Sequence, residues 1–108
     1  MAHYLIRGTY TSEAIRGLVE EGAASREEAI RALFESVGGT VVAGPFWSSD
    51  NLSAVGIVDL PSLPALSAAL STALGAGTVL TSTAELLLTA EEVDEGRGLS
   101  PTYRPPDA

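Results

Sequence analysis

Two apolar runs, Thr40 to Trp47 and Ala54 to Leu60, flank the polar stretch Ser48, Ser49, Asp50 and Asn51. That pattern predicts a β-hairpin at the centre of the chain. The runs are rich in Val, Ile and aromatic residues, and the break consists of turn formers whose short side chains bond their own backbone. Ahead of it, His3 to Gly8 alternates as a strand, with Tyr4 and Ile6 on one face and His3, Leu5 and Arg7 on the other. Ile15, Leu18 and Val19 then recur at helical spacing, which predicts a short helix that buries all three and ends near Gly22. Ser25 and Glu28 stand at the S-x-x-E spacing of a capping box and predict the start of a longer helix carrying Ile30, Leu33, Phe34 and Val37 on one face. Gly38 and Gly39 supply the left-handed cap that releases the chain into the hairpin.

Beyond the hairpin, Pro61, Ser62 and Pro64 predict a helix start, since proline is tolerated in the first turn. Leu63, Leu66, Leu70, Ala73 and Leu74 share one stripe, and Gly75 to Gly77 is a helix stop that lacks the remaining features of a dinucleotide loop. Thr78 to Leu88 reads as a fourth strand, Thr89 and Glu92 as a second capping box opening a short acidic helix, and Pro101, Pro105 and Pro106 keep the end irregular.

The order is β-α-β-β-α-β with a split first helix, which predicts an α+β domain over residues 1–96 and a proline-rich tail over 97–108. The expected architecture is ferredoxin-like, a four-stranded antiparallel sheet with both helices on one face. Yet the strands are apolar on both faces: Val42 and Phe46 oppose Val41 and Trp47, Val55 and Ile57 oppose Val58 and Leu60, and Leu80 and Leu86 oppose Val79 and Leu87. A sheet apolar on both sides needs a cover on both sides. The expected second cover is another copy of the chain, with room for a cavity between the sheets.

The residues Tyr4-Leu5-Ile6-Arg7-Gly8 with Tyr10-Thr11, Gly38-Gly39, Phe46-Trp47, Ile57-Val58-Asp59-Leu60-Pro61 and Leu88-Thr89-Ala90-Glu91-Glu92 together resemble the GYD domain family over roughly residues 1 to 95. The resemblance implies a small bacterial protein similar in fold to the dimeric α/β barrels, and it implies no activity. The Gly-Tyr-Asp segment that names the family falls on Asp50, Asn51, Leu52 and Ser53, where the tyrosine and aspartate are absent.

Composition narrows the chemistry. The 108 residues suit one core, and 45% hydrophobic content is that of a globular chain. A net charge of −8, with six scattered arginines and no lysine, excludes a phosphate-binding nucleic-acid partner. The lack of lysine and cysteine closes Schiff-base and thiolate chemistry and thiolate zinc sites. No membrane-length apolar run and no leader-like segment is present, so the expectation is a cytoplasmic protein without membrane partner, metal or cofactor.

His3 is the lone histidine and the one side chain whose ordinary pKa suits general-base work near neutrality. Arg7 shares its predicted face and needs either an anionic ligand or a carboxylate such as Asp59 or Glu85. Trp47 is expected at the subunit interface beside them, and Tyr10, placed at the start of the first helix, either meets a ligand or caps the core edge. His3, Arg7, Tyr10 and Trp47 are therefore the candidate ligand-binding residues. The acidic run Glu91, Glu92, Asp94, Glu95 is a solvated face, lacking the alternation of a calcium loop. Two functions fit: a non-enzymatic self-associating or small-ligand-binding module, and a small oxygenase or isomerase of the dimeric α/β barrel type acting on an aromatic or anionic molecule. In the second, His3 is base or axial ligand and Arg7 orients the substrate.

Overall fold

The structure is a computed structural model and describes residues 1–107. The elements are β1 (Ala2–Tyr10), α1 (Ser12–Glu21), α2 (Ala23–Glu35), β2 (Thr40–Trp47), β3 (Ala54–Leu60), α3 (Leu63–Gly75), β4 (Val79–Leu87) and α4 (Ala90–Arg97). The strands form one antiparallel sheet in the order β2-β3-β1-β4, an α+β fold as expected. Phe34 of α2 and Ala65 and Ala69 of α3 pack on Tyr4, Ile6, Val41, Val58 and Leu60, so a single core lies between two helices and one sheet face.

The predicted hairpin is present with its predicted limits, and its turn is closed by side chains. Asn51 Oδ1 accepts from the Ser48 hydroxyl at 2.7 Å and from the hydroxyl of the fully buried Ser53 at 2.8 Å. Asp50-Asn51 thus shapes the bend without the family's tyrosine. β2 is irregular: its pairing with β3 shifts between Val41 and Ala43 and again between Ala43 and Phe46. Arg31 of α2 buckles the helix to that irregularity, donating to the Gly44 carbonyl at 2.7 Å and pairing with Glu27 at 3.1 Å.

Several local expectations are corrected. β1 runs on to Tyr10, because Thr9 and Tyr10 still find partners in Thr81 and Val79 across a bulge. Val19 points into water, and Leu18 is the buried residue of α1. α3 faces the sheet with Ala65 and Ala69, while Leu63 and Leu74 are exposed. Small residues let the helix sit close to the strands; the expected stripe reaches the core through Leu66 and Leu70 and misses the line of alanines beside them.

The Ser25 capping box does not form. The α1–α2 junction is Gly22 alone, at φ 92°, and α2 begins at Ala23 with no side-chain cap, which puts Ser25 inside its first turn. Gly22 reverses the chain so tightly that helix resumes two residues before the motif. By contrast, Ser62 Oγ accepts from the Ala65 amide at 3.2 Å and caps α3. Ser62→Ala is expected to cost about 1 kcal/mol, and Ser25→Ala to leave the urea midpoint nearly unchanged.

The Thr89–Glu92 box is present in both directions, at 3.0 Å and 3.1 Å. The Thr89 amide, then its hydroxyl, holds the Glu92 carboxyl below the usual range. Even so, α4 buries no residue and packs extensively on no other element. Leu88, Val93, Leu99 and Tyr103 are all exposed along it and the segment that follows. The radius of gyration, 17.1 Å, exceeds the ~13 Å of a compact chain of about 100 residues, because this arm projects from the body.

Candidate functional site

Strand register fixes which side chains share the helix-free face. His3 pairs with Asp59 on one side and Leu87 on the other, Leu5 with Ile57 and Glu85, and Arg7 with Val55 and Thr83. Phe46 pairs with Val55 and therefore joins the Arg7 row. Alternation from the buried Val41 puts Val42 on this face as well. Phe46 is 66% exposed and Val42 56%.

At one end of this face, His3 Nδ1 is hydrogen-bonded to Asp59 Oδ1. The two side chains are 39% and 23% exposed. The carboxylate orients the imidazole and leaves Nε2 as its free edge, the arrangement of an oriented base. Arg7 takes neither of its expected partners: Asp59 is engaged by His3, and Arg7 forms no ion pair or hydrogen bond among the described residues. Its charge reaches as far as Asp50, whose carboxyl is held below the usual range chiefly by the Ser48 hydroxyl, then by the turn amides, with Arg7 the least of the causes.

Tyr10 and Trp47 are not with them. Trp47 pairs with Ala54, which pairs with Gly8, so the indole lies on the helix side of the sheet. There it meets the buried Tyr10 ring edge-on, centroids 5.5 Å apart. The four candidate residues thus divide two and two across the sheet, and the expectation of one pocket lined by His3, Arg7 and Trp47 is corrected. The aromatic on the free face is Phe46. Its alternation with Trp47 was visible in the sequence; which of the two shares a face with Arg7 depends on register between strands. No cluster of potential metal ligands is found among the described residues. Among the described residues no helix is long and apolar enough to cross a membrane.

The family model described as the GYD domain matches residues 4–95. No curated protein and no solved structure matches the chain.

Proposed function

The chain belongs to the GYD domain family, and from its helix-free sheet face we propose that it acts as a cytoplasmic, self-associating module in which two copies stack these faces. The observation that carries this is the exposure of Phe46 and Val42 beside Leu5, Ile57 and Val55, an apolar patch on a face that the chain's own helices leave open and that His3, Arg7 and Glu85 edge with polar groups. Four strands at about 4.8 Å spacing and seven to nine residues at about 3.3 Å rise give a projected area of roughly 500 Å². Protruding side chains bring that toward the ~800 Å² per partner of a standard interface.

A second copy fits this face better than an unlike protein. Arg7 and Glu85 occupy neighbouring rows of the same surface, and a two-fold axis passing between those rows would set each opposite the other's counterpart, pairing an arginine that has no partner among the described residues of its own chain. The arm supplies a second reason. An isolated helix as short as α4 is marginal in water, and its apolar residues gain cover on a partner's surface. The expected result for the full chain is a dimer by light scattering at micromolar concentration, and removal of residues 89–108 is expected to weaken the dimer while the sheet still folds. A monomer at that concentration contradicts the proposal.

The His3–Asp59 pair favours a second function. Stacking encloses it, together with Arg7, in the space between the sheets, where an oriented imidazole and a fixed cation suit proton abstraction from an anionic or aromatic substrate. Dimerisation that survives His3→Ala, with loss of turnover, separates this from the binding module.

A further inference from the structure

On the other side of the sheet, between α2, α3 and the strands, lies a cavity of about 220 Å³. Its walls are mostly apolar, with Ile6, Ile30, Leu33, Phe34, Leu70 and Val79 among them. The space exists because both walls are built of small residues. α3 and its C-terminal cap present Ala69, Ala73 and Ala76, and the strands opposite present Gly8, Ala54 and Gly56. The space is open on one side to solvent and forfeits the dispersion contacts that larger side chains would make.

Tyr10 also lines this cavity. The residue is 8% exposed, and its hydroxyl is buried with no hydrogen-bond partner among the described residues. Buried side-chain polar groups nearly always have partners. The Tyr10 ring borders the space while its hydroxyl is sealed just behind the wall, so an acceptor held in the cavity reaches it when the ring turns inward from its edge-on contact with Trp47. Arg26 also borders the space, but its charge is met by Glu21 at 3.5 Å. The site therefore carries no uncompensated charge to draw an ion in.

We propose that this cavity binds a neutral aromatic compound of one or two rings that bears a carbonyl oxygen, which accepts a hydrogen bond from the Tyr10 hydroxyl. The size follows from volume: a dry cavity of ~150 Å³ takes benzene, and this one has room for a second fused ring. A carbonyl is specified because a phenolic hydroxyl is a good donor, and the walls offer little else to a polar group. The site is separated by the sheet from the stacking face, so it stands whether or not the protein dimerises.

The test uses the full chain with 1-acetonaphthone and its carbonyl-free counterpart 1-ethylnaphthalene. Trp47, the single tryptophan, reports ketone binding by fluorescence, and competition reports the hydrocarbon. The ketone is expected to bind about five- to tenfold more tightly, the worth of one hydrogen bond. Tyr10→Phe is expected to remove that preference while leaving the hydrocarbon affinity unchanged. Ala73→Leu, or Ala76→Leu if the first fails to fold, is expected to abolish both by filling the space. Equal affinity of the two probes for the unaltered protein, a preference that survives Tyr10→Phe, or no binding of either probe overturns the proposal.

Discussion

Gly39→Ala is expected to destabilise the protein by about 3 kcal/mol or more, at the upper end of the cost of overpacking a filled site. A Cβ at Gly39 would lie 2.7 Å from Leu60 Cδ2, 2.8 Å from the Asp59 carbonyl oxygen and 3.1 Å from that of Phe34. None of these can yield cheaply. Leu60 is 1% exposed and wedged in the core, and the other two are backbone atoms, one in β3 and one accepting the Gly39 amide at 2.9 Å. The neighbouring Gly38 is the residue with positive φ, 85°, yet its nearest obstacle is Pro61 Cγ at 3.5 Å. Gly38→Ala is then a matter of backbone strain, about 1 to 2 kcal/mol. At ~4–8 °C per kcal/mol for a domain of this size, Gly39→Ala should lower the melting temperature by at least about 12 °C. Thermal denaturation of both variants checks the order, and a larger loss for Gly38→Ala would contradict it.

This pair of glycines shows where the sequence was legible. Gly38-Gly39 announced a helix stop correctly, because a stop is a local matter. That the second glycine is required by Leu60, some twenty residues away, is a fact of packing that no local pattern contains. The hairpin limits were likewise legible, since a polar break between β-branched runs has one economical conformation. The α4 box was legible and the Ser25 box was not, although the two motifs look alike. Thr89 follows a strand that must end, whereas Ser25 follows a glycine already able to restart the helix. Apolar character on both sheet faces could be read directly, but assigning Trp47 to a face required the pairing of Trp47 with Ala54 and of Ala54 with Gly8. A one-residue slip in register reverses such an assignment. The cavity was hidden for the same reason. The sequence pattern places Tyr10 at the start of a helix, and its position as the last residue of β1 depends on the bulge at Leu80 in β4.

Register also decides which aromatic controls assembly, and Phe46→Glu is expected to dissociate the proposed dimer while the chain still folds. Phe46 is 66% exposed and contributes little to its own core, so replacing it costs the monomer no more than the ~1 kcal/mol span of strand propensities. In a two-fold assembly each substitution acts twice. Burying one phenylalanine is worth about 1.5–3 kcal/mol, so the dimer loses roughly 3–6 kcal/mol before the cost of desolvating two carboxylates is counted. That corresponds to a dissociation constant weakened by about two to four orders of magnitude. Trp47→Glu is expected to behave differently, placing a carboxylate against Tyr10 on the helix side and lowering the melting temperature of the monomer itself. Light scattering with circular dichroism on the two variants separates the outcomes. A folded monomer for Phe46→Glu and a destabilised chain for Trp47→Glu support stacking through the helix-free face, and a Phe46→Glu protein that stays dimeric puts the interface elsewhere.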